Sequence, residues 1–79
     1  MNFNDTKNKM EELKTKLAEF LEVEELDVTK KFQDYDEWDS LTALTIIAML
    51  DADYRMTMKG ADLLAFGSIE EFCNKVLGK

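Results

Sequence analysis

Three separate stretches of this chain carry apolar residues at three- and four-residue intervals, and that period belongs to helices with one buried face. In the first stretch Met10, Leu13, Leu17, Phe20 and Leu21 share a face. In the second Ala43, Ile46, Ile47, Leu50 and Tyr54 do so, and in the last Ile69, Phe72, Cys73, Val76 and Leu77. Arg55 to Lys59 alternates weakly, as a strand would. An isolated strand with nothing to pair with is unstable, so this segment reads as a loop. The expected fold is all-α: a small four-helix bundle of three longer helices and one short helix, with a long loop between the first and second.

The boundaries follow from capping signals. Asn4 or Asp5 suits the start of a first helix running to about residue 21. Its outer face carries Lys7, Glu11, Lys14 and Glu12, Lys16 at spacings that weakly support an exposed helix. Glu22 to Asp39 is a long connection, which a compact domain rarely keeps without a function. Leu26, Val28 and Phe32 are its apolar pins, Tyr35 and Trp38 its aromatics. A second helix is expected from Ser40 to about Asp53. A short third helix over Gly60–Leu64 is expected to end near Phe66–Gly67, where Gly67 permits a left-handed cap. Ser68 and Glu71 have capping-box spacing for the last helix, and Gly78 ends it.

With 79 residues there is room for one domain, 1–79, and a core this small depends on efficient helix packing. Disulfide staples are excluded, because Cys73 is the single cysteine. Met1 to Thr6 is polar and lacks the apolar run of a secretory segment. No apolar stretch approaches the roughly 20 residues of a membrane span. The expectation is a soluble, cytoplasmic, monomeric domain. Its net charge is −7, concentrated between Phe32 and Tyr54, where Asp34, Asp36, Glu37, Asp39, Asp51 and Asp53 meet no Lys or Arg. Such a patch repels nucleic acid and speeds the approach of a positively charged partner, or simply keeps a small domain solvated.

At Asp39-Ser40 an acidic, turn-prone segment stops and the apolar helix begins. Ser40 therefore sits at or beside a helix start, where open N–H groups and the macrodipole favour a phosphate. A serine there is a bare cap or the bearer of a phosphodiester. Enzyme chemistry has little to work with. The chain has no histidine, Cys73 lies on a buried face without a base, and no lysine is near Ser40 in sequence. Asp34, Asp36 and Asp39 suggest a calcium loop, but Asp39 stands where its glycine belongs and Thr45 where its glutamate belongs. No catalytic residue and no metal ligand is assigned.

Asp39-Ser40-Leu41, followed by one apolar helix in a small acidic chain, resembles the attachment site of acyl carrier proteins and related phosphopantetheine-binding carrier domains. The likeness extends over nearly the whole chain. It implies that Ser40 bears a 4′-phosphopantetheine arm whose thiol holds an acyl group as a thioester, and that Asp39 helps engage the phosphopantetheinyl transferase. It assigns Leu41, Leu44 and Ala48 to meeting the acyl-loading and acyl-accepting enzymes. Trp38, Asp36 and Glu37 join that partner-facing set, although Trp38 also suits a packing plug and Leu44 also suits the core. Aminoacyl or peptidyl cargo stays open. So does a non-catalytic acidic module that binds a protein through Leu41, Leu44 and Trp38. Two departures stand out: Glu37 replaces the family's common glycine, and Thr42, Thr45 and Ala52 replace frequent acidic residues. The thinner charge points toward specialised partner enzymes.

Overall fold

The long connection between the first two helices is the part of the fold that carries the site, and the helices are arranged around it. The computed structural model describes residues 5–78, with side chains from residue 9 onward. Four helices, α1 (Asp5–Phe20), α2 (Ser40–Tyr54), α3 (Gly60–Ala65) and α4 (Ile69–Val76), appear in the expected order, with one 3₁₀ turn at Phe32–Asp34. No strand occurs among the described residues. Asn4, one of the two expected caps of α1, and the side chain of Lys7 lie outside the described residues.

The apolar stripes meet in one core. Leu13, Leu17 and Leu21 from the first stripe pack with Ala43, Ile46 and Leu50 of α2, Leu63 of α3, and Ile69, Phe72, Cys73 and Val76 of α4. Met10, Phe20, Ile47, Tyr54 and Leu77 are only half-buried at its rim. Met49 and Met58 are buried as well, each 8% exposed, though neither lies on an expected core face. The reason for Met49 is tertiary: α2 packs against both α1 and α3, so its buried arc is wider than one stripe. Across the α1–α2 seam, Lys16 Nζ reaches Asp53 Oδ2 at 2.7 Å, and within α1 it reaches Glu12 Oε1 at 3.3 Å.

Helix ends explain how the chain leaves each element. Glu22 takes a left-handed conformation (φ 57°) just past α1. There the Glu22 N–H donates to Glu19 O and the Val23 N–H to Ala18 O, which occupies two carbonyls of the last turn. Arg55 does the same duty after α2, at φ 53°. Gly67 departs from expectation. α3 ends at Phe66 in extended backbone (φ −70°, ψ 136°), and Gly78 is the described glycine with positive φ. What Gly67 provides is room: its N–H donates to Glu71 Oε1 at 3.3 Å, and a Cβ there would stand 2.7 Å from Glu71 Oε2. The Ser68 cap is made as expected, its Oγ accepting the Glu71 N–H, while the returning Glu71 carboxylate meets the Gly67 N–H.

The connection from Leu21 to Asp39 is irregular but tied down. The Tyr35 hydroxyl donates to Asp27 O and accepts the Asp27 N–H, both at 2.9 Å, which closes the loop on itself. Lys30 O and Val28 O accept the first N–H groups of α4, from Ile69 at 2.8 Å and Glu70 at 2.9 Å. With Ser68 Oγ taking Glu71 N–H, the first three N–H groups of that helix are all occupied, and Phe72 N–H to Ser68 O begins its own ladder. Phe32 drives into the core, edge-on to Phe72 at 4.9 Å between ring centroids, and Phe72 in turn meets Phe66 at 5.6 Å. Leu26 and Val28 are half-buried pins beside it.

Candidate functional site: the start of the second helix

Asp39 and Ser40 divide the work at the tip of α2. Asp39 is the N-cap, in extended backbone (φ −154°, ψ −177°), and its Oδ1 accepts the Thr42 N–H at 2.8 Å. Its carbonyl accepts the Ala43 N–H at 3.0 Å. The Thr42 N–H, donating to the carboxylate, holds the Asp39 carboxyl below its ordinary range. Because the cap is supplied by Asp39, Ser40 is released from that duty. It becomes the first helical residue, and it is exposed. Neither its hydroxyl nor its N–H has a hydrogen-bond partner among the described residues. A nucleophilic oxygen thus lies in solvent at the positive end of a 15-residue helix.

The flanks carry negative charge and apolar surface. Asp36, Glu37 and Asp39 are all exposed, and the ion pairs among the described residues involve Lys14 or Lys16 of α1, away from these three. Glu22, at the end of α1, comes beside Glu37; that neighbour first, then the like charges of Asp39 and Asp36, push the Glu37 carboxyl above its ordinary value. No local pattern marks Glu22 as part of this rim, because chain folding alone brings it there. Glu37 itself keeps an ordinary backbone, since the positive-φ residues other than glycine are Glu22 and Arg55. The position therefore has no need of the glycine common in carrier domains.

Along α2, Leu41 is 70% exposed and Leu44 61%, and Ala48 is exposed in line with them. The core alternative for Leu44 is thereby excluded. Leu64 of α3, at 45%, is a further exposed apolar residue that sequence reasoning did not single out. Trp38 is half-buried and stacks on Phe32 at 5.2 Å with ring planes 26° apart, so packing accounts for much of its surface.

Other chemistry finds no geometry. Cys73 is 1% exposed, and burial pushes its thiol up to about 11. Among the described residues no three His, Cys, Asp or Glu side chains are grouped to hold a metal ion. No helix there is long and apolar enough to cross a membrane.

The residues at this helix start fit a covalent phosphodiester: an exposed hydroxyl, an open N–H beside it, and a cap carboxylate turned back onto its own helix. A sequence model of the family described as phosphopantetheine attachment site matches residues 11–76. No curated protein and no solved structure matches the chain.

Proposed function

Since the chain belongs to the phosphopantetheine attachment-site family, whose members are carriers holding 4′-phosphopantetheine covalently, usually on a serine, we propose that Ser40 is its attachment residue and that it serves as an acyl carrier. The observation that supports this most is the division of labour at α2, where Asp39 caps the helix and leaves the Ser40 hydroxyl exposed. In loading, the Ser40 oxygen forms a P–O ester bond to the phosphorus of the donor, a phosphoric anhydride. The anhydride bond breaks, the nucleotide leaves with the electron pair, and the hydroxyl proton passes to a base of the transferase. The open backbone N–H at Ser40 and the helix dipole would favour the negative charge of a phosphodiester held there.

When bound, the arm supplies a terminal thiol for thioester chemistry. The chain supplies attachment and recognition. Asp39 would lie beside a phosphodiester on Ser40 and would help engage the transferase. Leu41, Leu44 and Ala48 offer the apolar strip on which loading and accepting enzymes dock, with Asp36 and Glu37 answering basic residues on those enzymes. Trp38 acts mainly by packing beneath this segment. Intact-mass measurement after co-expression with a phosphopantetheinyl transferase tests the reading. One added arm on the wild type and none on Ser40→Ala is expected. No addition with several different transferases favours the non-catalytic protein-binding module. Trapping the loaded thioester separates an acyl from an aminoacyl or peptidyl cargo.

A further inference from the structure

Thr42 makes two bonds backward, to residues that precede Ser40 in the chain. Its N–H donates to Asp39 Oδ1 at 2.8 Å, and its hydroxyl donates to the Glu37 carbonyl at 3.0 Å. The second bond is unusual for a helical threonine. Thr15 and Thr45 donate four residues back within their own helices, to Glu11 O at 2.8 Å and Leu41 O at 3.0 Å. Thr42 instead reaches five residues back, past the helix start, to a carbonyl in the preceding loop. The side chain thus ties residues 37–39 onto the first turn of α2, and Trp38 stacked on Phe32 holds the same segment to the core.

Glu37 lies beside Glu22 and near Asp36 and Asp39, all of one sign. Attack by Ser40 needs its oxygen held in line with the phosphorus, and misplacement by about 1 Å costs as much as 10²-fold. We propose that Thr42 is a positioning residue for loading: its hydroxyl bond to the Glu37 carbonyl fixes Asp39 and Ser40 in the geometry a transferase uses. This rests on the carrier reading of Ser40.

The test is steady-state loading by a phosphopantetheinyl transferase, with coenzyme A as donor, of the full-length wild type, Thr42→Val and Thr42→Ser. Valine keeps the shape and the backbone N–H but removes the hydroxyl; serine keeps the hydroxyl. Thr42→Val is expected to lower kcat by about three- to tenfold, the range one hydrogen bond sustains, with KM changed less than twofold. Thr42→Ser is expected to stay within twofold of wild type. The emission of Trp38, the single tryptophan, should become more accessible to acrylamide in Thr42→Val and not in Thr42→Ser. Equal kcat for wild type and Thr42→Val overturns the proposal, as does a loss equally deep in Thr42→Ser or a loss confined to KM. If Thr42→Val fails to fold, Thr42→Ala, which also lacks the hydroxyl, takes its place: a kcat about three- to tenfold lower with greater quenching upholds the proposal, and wild-type kcat overturns it. A wild type that takes no arm at all overturns the attachment reading of Ser40 instead.

Discussion

Phe32→Ala is the perturbation that most sharply probes how the site is held. Phe32 is 1% exposed, lies beneath Trp38 at 5.2 Å and meets Phe72 edge-on at 4.9 Å. Truncating a buried phenylalanine to alanine costs about 3–5 kcal/mol. A domain of this length has a total stability of about 4–12 kcal/mol at 0.05–0.15 kcal/mol per residue. The substitution should therefore remove about a quarter or more of the stability and, at the lower end, unfold the protein. Urea titration followed by Trp38 emission reads the midpoint and, because Trp38 sits on the mutated ring, the local environment too. A companion Phe32→Leu should cost less than half as much, and a double-mutant cycle with Trp38, followed by far-UV circular dichroism because it removes the single tryptophan, should return about 0.5–1.5 kcal/mol for the stacked pair. A loss below about 1 kcal/mol for Phe32→Ala would refute the idea that this ring anchors the loop ahead of Ser40.

Other perturbations have definite signs. Arg55→Gly should stabilise by about 0.5–1 kcal/mol, because Arg55 is held at φ 53° where glycine is unstrained; thermal melting with no rise in Tm would contradict it. Tyr35→Phe removes both hydrogen bonds to Asp27 and should cost about 1–3 kcal/mol, with faster amide exchange at Asp27 as the accompanying sign. Glu37 is held above its ordinary 4.5, so the folded state binds that proton more tightly than the unfolded chain. Its contribution is favourable at low pH and is lost as pH rises through the raised value. Glu37→Gln should accordingly melt higher than wild type at pH 7, and the gap should close below about pH 4.5; a gap that widens on acidification sinks this account.

Much of the architecture was legible because periodicity reports burial directly. The stripes Leu13-Leu17-Leu21, Ala43-Ile46-Leu50 and Ile69-Phe72-Val76 are the core itself. The Ser68 cap and the apolar pins of the long loop were legible for the same local reason. What escaped was decided by tertiary placement. Met49 and Met58 are buried by neighbours that no local window contains, and Glu22 meets Glu37 only once α1 and the loop come together. Gly67 was misread because a glycine after a helix suggests a left-handed cap, whereas here it makes room for the Glu71 carboxylate. At the site, pattern alone brackets the helix start to Asp39 or Ser40. Only the Asp39 Oδ1 bond to the Thr42 N–H tells which residue caps and which stays open. Leu44 shows the same limit, since its spacing fits core and surface alike and its 61% exposure decides.

The most direct measurement is fragment-ion mapping of the arm on the loaded protein. Trypsin leaves Phe32–Arg55 as one peptide holding three aliphatic hydroxyls, on Ser40, Thr42 and Thr45. Fragments that carry the phosphopantetheine mass from Ser40 onward, with Thr42 and Thr45 unmodified, are the predicted result. An arm on either threonine, or on a residue outside this peptide, would contradict the central claim.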